Sequence, residues 1–249
     1  MTVSLDASAW LRRFHPAPSA AARLVCFPHA GGAATYFHPV SASLPTSLEV
    51  LAVQYPGRQD RHAEPLVDDL FELADRLAGV LAAEVAGPVA FFGHSMGASL
   101  AFEVARRLEA RGTRLLGLFV SGRRAPSVVR DERTHEKSDD GLLADVKELS
   151  GTDARVLENE ELVRMMLPTL RNDYKAAERY RYRPGPDVSC PIFALIGDSD
   201  PKVTEADARE WAARTSGGFE LTTFPGGHFY LNDHRAAVNR LLVDRLTAR

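Results

Sequence analysis

The stretch Val89-Ala90-Phe91-Phe92-Gly93-His94-Ser95-Met96-Gly97 joins a short apolar run to a G-x-S-x-G motif. The run 89–92 is continuous, as expected for a strand covered on both faces. After the motif, apolar residues recur at spacings of three and four, which predicts an amphipathic helix ending at Arg111. Strand, tight turn and helix are the setting of an exposed nucleophilic serine. Ser95 is therefore the candidate nucleophile, and the alternative is a serine that caps the helix in a glycine-rich turn.

Five further apolar runs of strand length lie on both sides of this stretch, and helical patterns separate several of them. The runs are 23–27, 48–53, 115–121, 192–196 and 220–224, and the clearest further helical patterns are 68–83 and 238–246. Alternation of strands and helices predicts an α/β fold with a mostly parallel central sheet flanked by helices.

The alternation stops between residues 125 and 187, where two helical patterns replace the strands. The first ends at Gly151, and the second begins at Leu162 and is interrupted by Pro168. Because proline suits the first turn of a helix, we expect a new helix to begin at Pro168 and run towards Tyr182. The 249 residues are interpreted as one domain, 1–249, with a helical insertion at 125–187.

Composition excludes several classes of protein. Thirty Lys and Arg against 33 Asp and Glu give a net charge of −3, which argues against a nucleic-acid binder. No apolar run approaches the roughly 20 residues of a membrane-spanning helix, and residues 1–10 do not resemble a signal peptide. The two cysteines, Cys26 and Cys190, favour a cytoplasmic protein. No spacing typical of metal ligands or of a phosphate-binding loop occurs, so neither metal nor cofactor is expected.

A serine hydroxyl needs a general base, and His228 is the candidate. It follows the last predicted strand in Pro225-Gly226-Gly227-His228, although a histidine in a surface loop is the alternative. Asp198 and Asp200 follow the run 192–196, and either could orient that histidine. We prefer Asp200 because it lies further out on the loop, before a proline that restricts its backbone, and we assign Asp198 to a cap or turn. The order Ser95, Asp200, His228 is that of the α/β-hydrolases.

An oxyanion hole needs two backbone N–H groups. Met96, directly after Ser95, is expected to supply one, and Ala30 in Phe27-Pro28-His29-Ala30-Gly31-Gly32 the other. An ordinary glycine-rich connection is the alternative for that loop. His29 is interpreted as a residue that holds the loop rather than a second base. Arg58 and Arg61, after the run 48–53, are expected to anchor a loop to carbonyls rather than face a ligand.

Five motifs together resemble the type II thioesterases of polyketide and nonribosomal peptide synthesis, nearly from end to end. They are Trp10-Leu11-Arg12-Arg13-Phe14, Cys26-Phe27-Pro28-His29-Ala30-Gly31-Gly32, Gln54-Tyr55-Pro56-Gly57-Arg58, Phe92-Gly93-His94-Ser95-Met96-Gly97 and Gly226-Gly227-His228-Phe229. The resemblance implies a freestanding α/β-hydrolase that removes stalled or wrong acyl groups from the phosphopantetheine arm of acyl or peptidyl carrier proteins, through a serine-linked acyl-enzyme.

The resemblance also implies that the insertion 125–187 is a lid over Ser95. We expect Leu162, Met165 and Met166 to line an acyl chamber, since methionines adapt to varied chains, although packing between lid and core is the alternative. A monomer is expected, with neither a nucleic-acid nor a membrane partner.

Three other enzymatic functions and one non-enzymatic function stay open. A small-molecule carboxylesterase would use the same residues, and so would an acyltransferase or a product-release thioesterase. A non-catalytic module that binds carrier proteins is a fourth reading, but it would not need Ser95, Asp200 and His228 to be intact.

Overall fold

The computed structural model describes residues 6–149 and 160–247, which build a seven-stranded sheet in the order β1-β3-β2-β4-β5-β6-β7. Every neighbouring pair is parallel except β1 and β3. The strands are β1 (Leu11–Arg12), β2 (Ala22–Phe27), β3 (Leu48–Val53), β4 (Val89–His94), β5 (Leu115–Ser121), β6 (Ile192–Gly197) and β7 (Phe219–Phe224). The predicted α/β fold is confirmed, and β1 is a strand that the sequence pattern did not indicate.

Helices cover both faces of this sheet. They are α1 (Ala7–Trp10), α2 (His38–Ser43), α3 (Leu70–Glu84), α4 (Met96–Glu109), α5 (Asp139–Leu149), α6 (Glu160–Arg179), α7 (Glu205–Arg209), α8 (Tyr230–Asp233) and α9 (Arg235–Thr247). The carboxylate of Asp69 caps α3 by accepting the N–H groups of Phe71 and Glu72. Gly112 follows α4 with a φ of 88°, the left-handed geometry that ends many helices.

Alternate residues of the central strands enter two separate cores. In β2, Val25 and Phe27 pack with α3 and α4, whereas Leu24 and Cys26 pack with α2 and α9. All four side chains are fully buried. Each large apolar side chain buried in this way contributes about 1.5–3 kcal/mol, which explains why the strands read as continuous apolar runs.

The carboxyl ends of the parallel strands meet at one edge of the sheet. Loops leave this edge after each of β2 to β7, and those after β2, β3, β4, β6 and β7 carry residues that the sequence singled out. In open α/β sheets this edge is where ligands bind. The fold thus gathers residues that lie far apart in the chain.

The segment after β5 contributes α5 and α6, which pack on each other through a small apolar cluster. Its buried members are Leu142, Val146, Val163, Leu167 and Leu170. The prediction that a new helix begins at Pro168 is wrong, because α6 runs unbroken through that residue. An internal proline costs about 3 kcal/mol, and burial on both sides of it outweighs this cost. The predicted helix end at Gly151 lies outside the described residues.

Cys26 and Cys190 are both buried and unpaired. Burial raises the pKa of both thiols, so they stay protonated. Between residues 6 and 149 and between 160 and 247, no helix is long and apolar enough to cross a membrane.

Candidate active site

Ser95 occupies a sharp turn between β4 and α4. Its φ of 54° and ψ of −120° lie outside the regions that L-amino acids favour. Its N–H donates to the carbonyl of Ser121 at the end of β5, at 2.8 Å. Ser95 occupies the N-cap position of α4, a helix that lies wholly inside the described range 6–149. Its side chain makes no capping hydrogen bond to that helix. The strained turn presents the hydroxyl at the carboxyl edge of the sheet.

The two glycines of the motif are required by close backbone contacts. A Cβ atom on Gly93 would lie 2.2 Å from the carbonyl oxygen of Gly97. A Cβ atom on Gly97 would lie 2.1 Å from the carbonyl oxygen of Phe27. Neither position has a flexible neighbour that could move aside, so the turn can form only with glycine at both places.

His228 and Asp200 form a buried pair across the sheet edge. The Nδ1 atom of His228 lies 2.8 Å from Oδ2 of Asp200, and the residues are 3% and 8% exposed. The other oxygen, Oδ1, accepts the N–H of Lys202 at 2.8 Å. Because a carboxylate can only accept, Nδ1 is the ring nitrogen that donates to Asp200.

Asp198 has a different role from Asp200. Its carboxylate accepts the N–H of Gly226 at 2.9 Å and the hydroxyl of Ser199 at 2.8 Å, and these bonds lower its pKa. It joins the loop after β6 to the loop that carries His228. This is the turn role expected for Asp198, and it leaves Asp200 as the partner of the histidine.

Residues 28–32, after β2, form a loop beside Ser95, and we call them the 28–32 loop. Gly31 donates its N–H to Oδ2 of Asp173 at 2.8 Å, and Gly32 donates to the carbonyl of His29 at 2.9 Å. Ala30 lines the same cavity as Ser95 and Met96. The two glycine amides already have acceptors, which is compatible with the prediction that Ala30 supplies the oxyanion-binding N–H of this loop; that role stays a prediction.

Arg58 holds the 28–32 loop from the adjacent strand end. Its guanidinium pairs with both oxygens of Asp173, at 2.7 and 3.0 Å, and donates to the carbonyl of Gly32 at 2.9 Å. Arg61 donates to the carbonyl of Gln54 at 2.8 Å. The expectation that these arginines anchor loops is confirmed. Asp173 was missed, because nothing near it in the sequence marks it as the partner of an arginine 115 positions earlier.

Two further histidines surround His228 as neutral rings. Burial, followed by the nearness of His228, lowers the pKa of His29 to about 3 and that of His94 well below its usual range. The Nδ1 atom of His94 lies 3.0 Å from the hydroxyl of Ser121, which is 2.7 Å from that of Tyr230. No pattern in the sequence indicated this chain of contacts. His29 packs edge-on against Tyr36, in keeping with a structural role.

Ser95 and His228 face a cavity with two unlike lobes. The first lobe, about 450 Å³ including its open mouth, is walled by side chains of α5 and α6: Val146, Leu149, Met166, Leu170 and Tyr174. The second lobe, about 440 Å³, is lined in part by Arg123, Glu132, Glu178 and Lys202. We call the first the apolar lobe and the second the charged lobe after these side chains, although apolar atoms make up the larger part of the lining of both.

Only one of the three residues predicted for the acyl chamber lines the apolar lobe. Met166 does so, together with Leu170 and Tyr174, which follow it at four-residue spacing on α6. Met165 is 69% exposed and Leu162 is 41% exposed, and neither lines the lobe. Met165 points elsewhere because one residue turns a helix by about 100°. Leu162 lies one turn before Met166, past the end of the lobe.

Clusters of metal ligands are a separate feature that the described part of the chain was expected to lack. Within residues 6–149 and 160–247, no group of three or more His, Cys, Asp or Glu side chains could hold a metal ion. The described site offers a strained serine and a buried histidine paired with a buried carboxylate, a set of groups that can transfer an acyl group.

The match to a family model agrees with this arrangement. Residues 22–246 match the model of the thioesterase domain. The chain therefore belongs to the thioesterase family, hydrolases that act on thioester bonds. The sequence-based expectation of a thioesterase is confirmed.

Similar proteins narrow the class. The chain is 54% identical over 248 residues to Thioesterase PikA5 of Streptomyces venezuelae, covering 98% of this chain and 88% of PikA5. The solved type II thioesterase BorB from the borrelidin biosynthetic cluster is 54% identical, with a TM-score of 0.91 over 96% of this chain and 98% of BorB. RedJ, a thioesterase of the prodiginine pathway in Streptomyces coelicolor, is 37% identical, with a TM-score of 0.87 over 93% and 95% of the two chains.

Proposed function

We propose that this chain hydrolyses acyl thioesters on the phosphopantetheine arm of acyl or peptidyl carrier proteins, and so removes stalled or wrong acyl groups from a polyketide or nonribosomal peptide synthase. The observation that carries the proposal is the strained Ser95 facing one cavity with the buried His228–Asp200 pair. The similarity to PikA5 and to the type II thioesterase BorB supports the choice of thioester and of pathway.

In the first half-reaction, Oγ of Ser95 attacks the thioester carbonyl and Nε2 of His228 takes its proton. Asp200 holds Nδ1–H and stabilises the imidazolium that forms. The N–H groups of Ala30 and Met96 bind the oxyanion of the tetrahedral intermediate. The C–S bond then breaks, and the leaving sulfur takes the proton from Nε2 of His228. Phosphopantetheine thus leaves as the thiol, and the imidazole is neutral again. A thiol with a pKa of about 8.5 needs little help from an acid, so making the nucleophile and holding the oxyanion are the demanding tasks.

In the second half-reaction, water replaces the thiol. His228 removes a proton from the water as it attacks the acyl-Ser95 ester, and the same two amides hold the new oxyanion. When the intermediate collapses, His228 returns the proton to Oγ of Ser95. The products are the free acid and the unmodified serine, and no further reactant is needed.

The two lobes of the cavity give each part of the substrate a place. We assign the acyl chain to the apolar lobe beside Met166 and the amide-bearing pantetheine arm to the charged lobe beside Arg123 and Lys202. In this proposal residues 125–187 form a lid within a single domain, 1–249, since α5 and α6 wall the acyl side.

A cytoplasmic monomer completes the proposal. Two unpaired, buried cysteines fit a reducing compartment. Sedimentation velocity measures the oligomeric state, and a concentration-dependent increase in mass would contradict the monomer.

Hydrolysis of acyl carrier proteins with varied acyl groups, beside simple esters and the Ser95→Ala variant, tests the function. We expect Ser95→Ala to lose activity by about a thousandfold or more. A Ser95→Ala variant with full activity refutes the mechanism. If simple esters exceed carrier-bound thioesters in kcat/KM, the chain is a carboxylesterase, and if an acceptor other than water receives the acyl group, it is an acyltransferase.

A further inference from the structure

Helix α6 rests directly on the 28–32 loop. Leu170 packs where Gly31 has no side chain, since a Cβ atom there would lie 2.7 Å from Cδ1 of Leu170. Three residues later, Asp173 accepts the N–H of Gly31 at 2.8 Å. Residues three apart share one face of a helix, so a single face of α6 both covers and hydrogen-bonds Gly31. This contact is adjacent in sequence to Ala30.

Arg58 and Asp173, which we call the loop clamp, bind two neighbouring backbone groups of the 28–32 loop. Asp173 takes the N–H of Gly31, and Nη1 of Arg58 donates to the carbonyl of Gly32 at 2.9 Å. The two side chains pair through both carboxylate oxygens and are 7% and 1% exposed. A buried pair with this two-point geometry fixes orientation as well as position.

The charge of the pair also matters to the oxyanion. Asp173 binds Gly31, the residue after Ala30. Without a counter-charge, its carboxylate would oppose the negative charge that develops on the thioester oxygen. The positive charge of Arg58 balances that of Asp173, so the ion pair places a dipole beside the loop instead of a net negative charge. The guanidinium therefore has a reason to be buried beyond packing.

We propose that Asp173 is a positioning residue, which with Arg58 sets the Ala30 N–H for catalysis and makes the oxyanion hole depend on the seating of α6. The inference rests on the proposed function, because it takes Ala30 as an oxyanion donor. Asp173 is buried and does not line either lobe of the cavity, so it acts through Gly31 and not on the substrate.

The test is Asp173→Asn, which keeps the shape of the side chain and one acceptor oxygen but replaces the other oxygen with an NH2 group. That group would face donors, because the carboxylate accepts four hydrogen bonds, one from Gly31, two from Arg58 and one from Asn172. We expect kcat on an acyl carrier protein to fall roughly tenfold or more while KM stays within about twofold. The rate at which a fluorophosphonate labels Ser95 should fall in parallel, because that reaction also builds charge on an oxygen in the hole. Unchanged kcat and labelling rate overturn the inference.

The matched control is Thr169→Val, one turn earlier on α6. The hydroxyl of Thr169 donates to the carbonyl of Gly57 at 3.0 Å, so it also anchors α6, through the loop after β3 and not through a hydrogen bond to the 28–32 loop. We expect this variant to lose thermal stability but to keep kcat and the labelling rate. If Thr169→Val loses both as Asp173→Asn does, the effect is general loosening of α6 and the inference is wrong.

Arg58→Lys carries the same test if Asp173→Asn fails to fold. A lysine keeps the charge but cannot pair with both carboxylate oxygens and reach the carbonyl of Gly32 at once. The same fall in kcat and in labelling rate is expected, and its absence overturns the inference. The two proposals fail separately: an active Ser95→Ala refutes the function, whereas an inactive Ser95→Ala beside a fully active Asp173→Asn refutes only the loop clamp.

Discussion

Two turns at the carboxyl edge of the sheet face the same cavity but are held in different ways. The turn at Ser95 is fixed by backbone atoms that lie against Gly93 and Gly97, and by a hydrogen bond to the strand beside it. The 28–32 loop is fixed by side chains, Arg58 from the end of β3 and Asp173 from α6. The turn of the proposed nucleophile is therefore held by the core, whereas the loop of the proposed oxyanion donor depends on a helix outside the sheet.

Gly97→Ala tests whether backbone contacts hold the turn at Ser95, and it should have the largest effect. The added Cβ would lie 2.1 Å from a carbonyl oxygen of β2, and backbone cannot move aside. We expect the free energy of unfolding, measured with urea, to fall by about 3 kcal/mol or more, with loss of activity. Gly112→Ala is the control: its φ is 88° but nothing lies within 4 Å, so about 1 kcal/mol is expected. Equal losses would refute the backbone origin of the turn.

Gly31→Ala makes the matching change in the 28–32 loop. Its Cβ would meet a side chain, Leu170, at a φ of 74°. We expect kcat to fall about tenfold, since a donor is displaced instead of removed. Leu170→Ala in the same chain makes room and should restore part of kcat, at a cost in stability of about 2–3 kcal/mol. A double variant no better than Gly31→Ala would mean that strain at φ, and not the seating of α6, sets the loop.

Met166→Ala tests whether α6 limits the length of the acyl chain that the apolar lobe accepts. Met166 lines the apolar lobe, so shortening it enlarges the acyl space. The ratio of kcat/KM for long over short acyl chains should rise about tenfold. Met165→Ala, next to it but 69% exposed, should leave that ratio unchanged. Equal behaviour of the two variants would refute the assignment of the lobe.

The smallest effect concerns His29 in the 28–32 loop. Its pKa is about 3 in the folded protein, against 6.5 for an exposed histidine, so between these values the unfolded chain binds a proton that the folded one does not. Stability is therefore lost as pH falls from 6.5 towards 3, by at most about 1.4 kcal/mol per pH unit for this residue. Urea unfolding between pH 6.5 and 5 should show a shallower slope in His29→Gln. An unchanged slope would contradict the neutral buried ring.

Local patterns predicted what neighbouring residues determine. The six predicted strands, the helix after Ser95 and the turn role of Asp198 are all present, because apolar periodicity and glycine spacing act over a few residues. The pairing of His228 with Asp200 was also predicted, since strand ends converge at one edge. The catalytic roles of these residues stay predictions.

Contacts between segments that lie far apart in the chain could not be predicted from the sequence. Pro168 lies inside α6 because packing on both sides of it outweighs its local preference, which no window of neighbours shows. Asp173 looked like any helical carboxylate until Arg58 was placed opposite it. Leu162 and Met165 carry the right residue types for an acyl chamber, but the rotation and length of α6 decide which side chains enter it.

The two native cysteines make this chain convenient for spectroscopy. Both thiols are enclosed and protonated, so thiol reagents react with them slowly. A cysteine placed at an exposed position, as in Met165→Cys, would then be the preferred target of a maleimide dye without removal of either native residue. A fluorophore there would report any change in the surroundings of α6 during turnover, in a chain that keeps both native cysteines.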